Sequence, residues 1–436
     1  MRLLHLADVH IGVERYGHPA TEADIEALPP CFAPGADRSA YLGMPTRLLD
    51  FLSALDEAVA YALDNGVDAV LFAGDAYRSR DPSQTHQREF ARRIARLSAA
   101  GVPVHLTVGN HDLPHVAGRA TALEIFPTLD VANVTVGASV ETHRIETASG
   151  PLQVVSVPWV RIGSFMAREE TRGLTLEQVR QQVEERLSHF LAEEVARLDP
   201  SLPAALCAHV NIAGATAASE RSMMLGNDHV LGLGTVAIPA FDYVALGNIH
   251  KHQVLARTPP VVYPGSIERV DFSEESEDKG FVIVDIDPAR PQGERVTDWR
   301  LVPVDARPMR TLSVRVAPGA EPTGAALAAI EREEPSVLAR AIVRMRVEME
   351  AEAEPGFREA EVRRALTAAC FHVAGVERAV ERGSRARLST DEASGMGPLE
   401  ALARYFTARS VSAEREAELT RYAQGLLEEE RESGTD

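Results

Sequence analysis

Cysteine, lysine and long apolar runs are all scarce in this 436-residue sequence. The cysteines, Cys31, Cys207 and Cys370, are odd in number, far apart and in no spacing typical of a metal site, so we expect reduced thiols that serve in packing. The sequence has no uninterrupted run of about 18 apolar residues, the length that a membrane-spanning helix needs. Its N-terminus reaches His5 and Asp8 before the apolar region of a signal peptide could form. These absences predict a cytoplasmic protein that does not enter a membrane.

Positive charge is also in short supply: 45 Lys and Arg residues face 64 Asp and Glu residues, which gives a net charge of −19. Proteins hold nucleic acid mainly by neutralising its phosphates with basic side chains. A chain this acidic is therefore not expected to hold DNA unaided. Either the substrate is not DNA, or bound divalent metals and a partner subunit supply the positive charge.

What the sequence does contain is an alternation of short apolar runs with stretches of helical periodicity, which predicts an α/β sandwich. Hydrophobic residues make up 45% and charged residues 25%, a balance typical of globular proteins. One long helix is predicted after Thr175, which can form a capping box with Gln178, and Pro200 ends it. Segment 11–45, with its Gly and Pro residues, is predicted to be a loop or insertion. The predicted buried strands cover residues 3–6, 69–73, 104–108, 152–157, 204–208, 243–246 and 281–286.

The pattern changes after about residue 303, where a smaller α/β module is predicted. Two amphipathic segments follow a Gly- and Ser-containing link, and their apolar stripes are too small to make a core alone. We expect them to dock on another protein, with packing back onto this chain as the alternative. The predicted domains are residues 1–302, 303–388 and 389–436.

Polar side chains with metal-binding chemistry follow the predicted strands, at the ends where α/β proteins place their sites. Each motif alone is a weak signal, but their order along the chain is specific. Two divalent ions about 3.5 to 4 Å apart need a bridging carboxylate, hard oxygen donors and neutral imidazoles, and Asp75 suits the bridge. Flanking glycines, Gly74, Gly109 and Gly247, relieve steric limits where each strand turns. The candidate ligands are Asp8, His10, Asp75, Asn110, His209, Asn248 and His250.

In sequence these motifs read D-x-H, GD, GNHD, a His at a strand end, and G-N-x-H, and over about residues 1–290 they resemble the signature blocks of calcineurin-like metallophosphoesterases. The opening LLHLADVHIG, the YVALG of residues 243–247 and the YPGS of residues 263–266 are similar to the SbcD nuclease branch. The resemblance implies a four-layer α/β/β/α sandwich. It also implies a small α/β capping domain that orients DNA, and C-terminal docking helices at residues 398–430 that bind an SbcC-like coiled-coil ATPase.

The resemblance further implies a division of the ligands between two manganese ions. One ion would be held by Asp8, His10, Asp75 and His250, and the other by Asp75, Asn110, His209 and Asn248. His111 matches the catalytic histidine of the family, which assists departure of the leaving group or stabilises transition-state charge. Two nearby metal ions would lower the pKa of a protonated imidazole, so that it gives up a proton readily.

Two positions depart from the family pattern. Asn248 stands where relatives have histidine, and its neutral amide oxygen is a weaker donor to manganese than imidazole, so the second site would be weakened. The substitution is either natural or engineered, and His252 is a conceivable replacement ligand. Arg78 stands where relatives often carry Asp or His; a substrate phosphate contact and a surface salt bridge are equal alternatives.

The leading hypothesis is a manganese-dependent DNA nuclease with 3′ to 5′ exonuclease activity on duplex ends and single-strand endonuclease activity. By resemblance it would act in double-strand-break repair, as a homodimer within a heterotetramer with its ATPase, in the cytoplasm at the nucleoid. One rival is a phosphatase or phosphodiesterase acting on small molecules, which rarely needs a second module. The other rival is a catalytically weakened scaffold, because of Asn248.

Overall fold

The structure is a computed structural model that describes residues 1–114, 118–161, 174–216, 230–381, 397–408 and 411–433. Its strands, β1 to β17 in chain order, are Arg2–Leu6, Ala69–Phe72, Val104–Thr107, Val134–Gly137, Glu141–Thr147, Gly150–Val157, Ala204–His209, Asn211–Ile212, Val230–Leu231, Tyr243–Gly247, Gln253–Arg257, Pro260–Tyr263, Gly280–Ile286, Val296–Pro303, Met309–Arg315, Ile342–Glu350 and His372–Glu381. Its α-helices, α1 to α11, are Glu22–Glu26, Thr46–Asp64, Gln84–Ala99, Ile125–Thr128, Leu176–Arg197, Leu233–Val236, Pro322–Glu331, Pro335–Arg340, Glu359–Ala369, Pro398–Ala408 and Ala413–Ser433. Short 3-10 turns lie at Arg38–Tyr41, Ala122–Glu124, Phe272–Glu274 and Glu354–Gly356.

Within the described residues, two six-stranded sheets dominate. The first has the order β14-β13-β1-β2-β3-β4 and the second β11-β12-β10-β7-β6-β5. Strands β1 to β4 of the first sheet are parallel, as are β6, β7, β10 and β12 of the second. Antiparallel strands extend both sheets at their edges. Parallel strands bring their carboxyl ends to the same edge of a sheet, so residues that follow β1, β2 and β3 meet.

The sheets and helices form four layers. One apolar core lies between the two sheets and includes Leu3, Cys207 and Tyr243. A second core lies between the first sheet and helices α2 and α3, and a third between the second sheet and α5. Strands covered on both faces need continuous apolar runs, which explains the sequence pattern. The predicted α/β/β/α sandwich is therefore confirmed.

The predicted elements are present, with ends shifted by a few residues. Helix α5 begins after Thr175, whose side chain accepts from the backbone N–H of Gln178 in the predicted capping box. Segment 11–45 is largely irregular but contributes buried apolar side chains, among them Phe32 and Tyr41, to the core beneath α2. It is thus a packed part of the sandwich. No helix among the described residues is long and apolar enough to cross a bilayer.

The chain divides into two compact units. The first comprises Met1–Leu312, Glu333–Arg344 and Arg364–Gly375, and the second Ser313–Arg332, Met345–Arg363 and Val376–Asp436. Strands β15, β16 and β17 form a three-stranded sheet in the order β15-β16-β17. In the second unit, helices α10 and α11 contact each other and leave Tyr405 and Tyr422 exposed. The assignment of these regions to a capping domain and to docking helices stays a prediction.

Candidate metal centre

The backbone turns sharply at the strand ends that carry the candidate ligands. Asp8, His10, Asp75 and Asn248 all have positive φ, at 52°, 48°, 60° and 96°. This left-handed region is sparsely populated by residues other than glycine, and such backbone strain concentrates at functional sites. The turns are held by main-chain hydrogen bonds, including that from the N–H of Asp8 to the carbonyl of Gly74 at 2.9 Å. The strained residues are therefore the candidate ligands, whose side chains turn away from the strands and toward one another.

The turns bring the predicted ligands together. Three overlapping groups each have their ligand atoms within 4.8 Å of one another: Asp8 with His10 and His250, His10 with Asp75 and His111, and Asp8 with Asp75 and His209. Asp75 is common to two of these groups. Its Oδ2 lies 3.7 Å from Nε2 of His10, and its Oδ1 lies 3.6 Å from Nε2 of His209. One carboxylate therefore faces two separate imidazoles with two separate oxygens, as a bridging ligand would.

The histidines are held so that a lone pair points inward. Nδ1 of His209 lies 2.7 Å from the carbonyl oxygen of Ala73, which can only accept, so the ring proton is on Nδ1 and Nε2 is the lone pair. Nδ1 of His250 lies 2.8 Å from a carboxylate oxygen of Glu274, so the ring proton of His250 is also on Nδ1 and its lone pair is on Nε2. Nε2 of His250 then faces Nε2 of His10 at 2.9 Å. Burial, followed by the neighbouring imidazoles of His250 and His111, lowers the pKa of His10, which keeps it neutral as a ligand must be.

Asn110 completes the case for a cation. One end of its side-chain amide lies 3.1 Å from Nε2 of His209, and 3.2 and 2.9 Å from the two oxygens of Asp75. If that end is the nitrogen, it donates to these acceptors. If it is the oxygen, acceptors converge from three residues on one point, the arrangement that surrounds a metal ion. The donor set of neutral imidazoles, carboxylates and an amide fits two divalent ions.

Asn248 is held differently from the histidines. Its backbone N–H lies 3.1 and 3.0 Å from the two oxygens of Asp8, and its side-chain Nδ2 donates to Oδ1 of Asn211. The nitrogen of its amide is therefore occupied, which leaves Oδ1 as the atom able to ligate a metal. The amide nitrogen of Asn211 is buried without a hydrogen-bond partner among the described atoms. The hydrogen bond to Asn211 thus fixes the orientation of the Asn248 amide. The role of Asn248 as a metal ligand stays a prediction.

His111 lies at the half-buried rim of the cluster. Its Nδ1 donates to the carbonyl of Arg78 at 2.8 Å, and its backbone N–H donates to Oδ1 of Asp75 at 2.8 Å. The ring meets that of His10 edge to face, with centroids 5.0 Å apart. The main chain of Arg78 thus orients His111, while a substrate contact by the guanidinium of Arg78 stays a prediction.

His252 belongs to none of the described ligand groups, and its Nδ1 donates to the carbonyl of Tyr263 at 2.9 Å. These contacts do not support His252 as a replacement ligand.

Two buried carboxylates behind the ligands were not predicted as site residues. Glu274 accepts from Nδ1 of His250 with one oxygen and lies 2.7 Å from Nζ of Lys279 with the other. Burial works to raise the pKa of Glu274, but its interactions with His250 and with the Lys279 ammonium, which include hydrogen bonds from both, outweigh burial and hold that pKa well below its usual range. Asp112 accepts backbone N–H bonds at 2.9 Å from Asp75 and 3.0 Å from Gly109. A signal for Asp112 was present in the sequence, because this residue lies in the GNHD motif. For Glu274 the only signal was its position in an acidic stretch.

Close packing explains two of the flanking glycines. At Gly109, a Cβ atom would lie closer than 3.0 Å to the side chain of Asp75, and at Gly74 it would lie equally close to the imidazole of His209. Gly74 also has φ of 97°, which L side chains rarely adopt. Any larger residue at either position would displace a candidate ligand.

The chain is similar to several known proteins. The chain is 25% identical over 317 residues to a protein of Bacillus subtilis (strain 168) that is named as the SbcD subunit of the nuclease SbcCD, an alignment that covers 69% of each chain. It is 23% identical over 281 residues to the protein of the same name from Escherichia coli (strain K12), covering 63% of this chain and 62% of the relative. A Halobacterium salinarum protein named "DNA double-strand break repair protein Mre11" is 30% identical over 131 residues, covering 30% of this chain and 26% of the relative. The last two alignments thus leave more than a third of the relative unmatched.

The family assignment rests on a match that covers more than half of the chain. Residues 1–252, which include every candidate ligand, match the family described as "Calcineurin-like phosphoesterase". Clustered His and Asp groups able to hold divalent metals lie in the same part of the chain. The chain belongs to the calcineurin-like phosphoesterase family of metal-dependent hydrolases.

Proposed function

We propose that this chain is the nuclease subunit of an SbcC/SbcD-type complex, a manganese-dependent enzyme that hydrolyses DNA phosphodiesters. The observation that carries the proposal is the position of Asp75, whose two oxygens face His10 on one side and His209 on the other. Such a carboxylate suits two metal ions that share one phosphate, the arrangement of many nucleases and phosphatases. The names of the relatives direct the choice of substrate toward DNA.

Each residue has a role that follows from its contacts. When bound, two divalent ions supply Lewis-acid activation of water and of the scissile phosphate. Asp8, His10 and His250 would hold one ion and Asn110, His209 and Asn248 the other, with Asp75 shared by both. Glu274 and Ala73 fix the tautomers of the two histidines that they contact. His111, which matches the catalytic histidine of the family, would be the proton donor.

His111 is positioned to act on the leaving group. The carbonyl of Arg78 fixes the ring by its Nδ1, so Nε2 is the atom that can carry and release a proton. Replacing His111 by Gln should lower kcat by about 10² to 10⁴-fold, the usual contribution of a general acid, while manganese binding measured by calorimetry is retained. Loss of metal binding in this variant would instead make His111 a ligand.

The proposal extends to partners and activity. The acidic balance of −19 is reconciled with DNA cleavage if the metals and an SbcC-like ATPase supply positive charge. That ATPase would bind helices α10 and α11 within residues 398–430, where Tyr405 and Tyr422 are exposed. We propose a homodimer of this chain in a heterotetramer with the ATPase, acting on cytoplasmic DNA as a 3′ to 5′ exonuclease on duplex ends and as a single-strand endonuclease.

Manganese titration against end-labelled DNA tests this function. The full chain, alone and with its ATPase, is given labelled duplex and single-stranded DNA and, in separate assays, bis(4-nitrophenyl) phosphate and cyclic nucleotides as small esters. We expect manganese-dependent shortening of the duplex from its 3′ ends. Hydrolysis of the small esters without DNA cleavage would favour a small-molecule phosphodiesterase. ATPase binding with no hydrolysis of any ester would favour a scaffold.

A further inference from the structure

The 3-10 turn at Phe272–Glu274 contacts both the metal centre and strand β15. Glu274 accepts from Nδ1 of the candidate ligand His250 at 2.8 Å. The next residue, Glu275, ends the turn and binds β15 instead. Its two carboxylate oxygens accept from the backbone N–H of Thr311 at 2.7 Å and from the hydroxyl of Thr311 at 2.6 Å. The turn therefore connects a candidate metal ligand to a strand that follows the predicted phosphoesterase domain.

The apolar side of the turn is held by the same strand and its neighbour. Phe272 is buried in a small core with Met309 and Ile342, the first residues of β15 and β16. Cζ of Arg344, also on β16, lies 4.5 Å from the centroid of the Phe272 ring, and its Nη2 donates to the hydroxyl of Thr311 at 3.1 Å. Because a guanidinium can only donate, that hydroxyl accepts from Arg344 and directs its own proton to a carboxylate. All of these residues belong to the first compact unit.

The carboxylate of Glu274 is completely buried, and its two oxygens have different partners. Oε2 lies 2.7 Å from Nζ of Lys279, and it accepts from the hydroxyl of Ser266 and the N–H of Val270, both at 3.1 Å. Oε1 accepts from His250. A group that supports a metal ligand must hold it within about 0.5 Å of its productive position. The placement of the turn therefore sets how well Oε1 supports the imidazole.

We propose that Thr311 is a positioning residue for the metal site that includes Asp8, His10 and His250, and that it acts through Glu275 and the turn to hold Glu274 in place. This inference rests on the metal centre of the proposed function and goes beyond it. Thr311 lies after residues 1–252, which match the family, and after residue 302, where the sequence predicts that the phosphoesterase domain ends. The metal centre would thus depend on a part of the chain outside that domain.

Manganese affinity of the full chain, measured by calorimetry, tests this role. Thr311→Val keeps the size of the side chain and removes its hydroxyl, so affinity at the site that includes His250 should fall about 2- to 10-fold, the range of one hydrogen bond. Affinity for the second ion should not change. Thr311→Ser keeps the hydroxyl and should retain the affinity. Glu275→Ala removes both hydrogen bonds from the other side and should lower the affinity at least as much as Thr311→Val.

The matched control is Thr142→Val. The hydroxyl of Thr142, on β5, donates to a carboxylate oxygen of Glu194 at 2.7 Å, and neither residue belongs to a described ligand group. Both valine variants should lower the thermal unfolding temperature of the metal-free chain, but only Thr311→Val should lower manganese affinity. Unchanged affinity in Thr311→Val and Glu275→Ala would overturn the proposal and leave these contacts with a role in stability alone.

The route through Glu274 is tested by measuring Thr311→Val in the Glu274→Gln background. The loss of affinity should be smaller there, because a neutral amide supports His250 less. An equal loss in both backgrounds would show that Thr311 acts by another route, and the proposal would be wrong. If the unsubstituted chain binds no manganese, the metal centre and this inference fail together. If it binds manganese but cleaves no DNA, the nuclease function alone fails, because these affinities are measured without substrate.

Discussion

On one side of the metal centre His250 is backed by the buried carboxylate of Glu274, which in turn is paired with Lys279. At Asn248, the proposed ligand of the second ion, the corresponding support is an amide, because its Nδ2 donates to Oδ1 of Asn211. The first arrangement couples a ligand to a charge, which fixes its tautomer and raises its basicity as a donor. The second couples two neutral groups, so the ligand oxygen gains orientation but little electron density.

The difference teaches that the two halves of this centre need not bind metal equally. In the proposed division of the ligands, the half with Asp8, His10 and His250 offers one carboxylate and two imidazoles. The half with Asn110, His209 and Asn248 would offer one imidazole and two amides, and a neutral amide is the weaker donor. We therefore expect sequential filling, with the Asp8 half first. Three kinds of substitution separate the contributions of the two halves to metal affinity: those that affect both halves, those that affect one half, and those at Asn248 and Asn211.

The largest effect is expected for Asp75→Asn, because Asp75 faces both halves. Loss of the shared charge should weaken both metal sites and lower phosphodiester hydrolysis by about 10³-fold or more, given that bound metals supply several kcal/mol of transition-state stabilisation. Calorimetric manganese stoichiometry and bis(4-nitrophenyl) phosphate hydrolysis measure it. Asp64→Asn, an exposed residue at the end of α2, is the matched control. Retention of one tight site in Asp75→Asn would show that the carboxylate does not bridge.

A smaller effect confined to the first half is expected for Glu274→Gln. A neutral amide cannot supply the charge behind His250, so affinity for the first manganese should fall about 10 to 100-fold, as for other residues that support metal ligands. Binding is followed by calorimetry, and thermal unfolding reports any separate loss of stability around Lys279.

Glu277→Gln separates these causes. Glu277 lies 2.8 Å from Nζ of Lys279 and pairs with that lysine, whereas Glu274 contacts both the lysine and His250. If both glutamate variants weaken metal binding equally, the role of Glu274 is to neutralise Lys279 and the contrast between the two halves is wrong.

The sequence could predict a site residue when its position follows directly from a strand, and could not when its position depends on how distant segments fold together. Ligands such as Asp8 and Asp75 directly follow apolar strands, so their meeting at one sheet edge follows from strand order alone. Glu274 lies 24 residues beyond the histidine that it supports, in a surface-like acidic stretch that only folding buries. The edge strands β5 and β11 escaped prediction because their half-exposed residues lack continuous apolar runs.

Asn248→His is expected to sharpen the comparison by making the second half resemble the first. Imidazole is the better donor to manganese, so affinity at the second site should rise at least about tenfold and hydrolysis should follow it at limiting metal. Asn248→Ala, which removes the ligand atom, should move affinity in the other direction. Electron paramagnetic resonance of coupled manganese pairs, with calorimetry, measures occupancy. A second site that stays weak with histidine would show that Asn248 is not what limits it.

The smallest effect is expected for Asn211→Ala, which leaves Asn248 in place but removes its hydrogen-bond partner. One neutral hydrogen bond contributes about 0.5 to 1.5 kcal/mol, so affinity at the second site should fall only about 2 to 10-fold, with the first site unchanged. The double variant with Asn248→Ala decides the mechanism, because Asn211 can act through Asn248 only while that amide is present. If Asn211→Ala costs as much in the Asn248→Ala background as alone, the two effects are independent and Asn211 acts on the metal centre by another route.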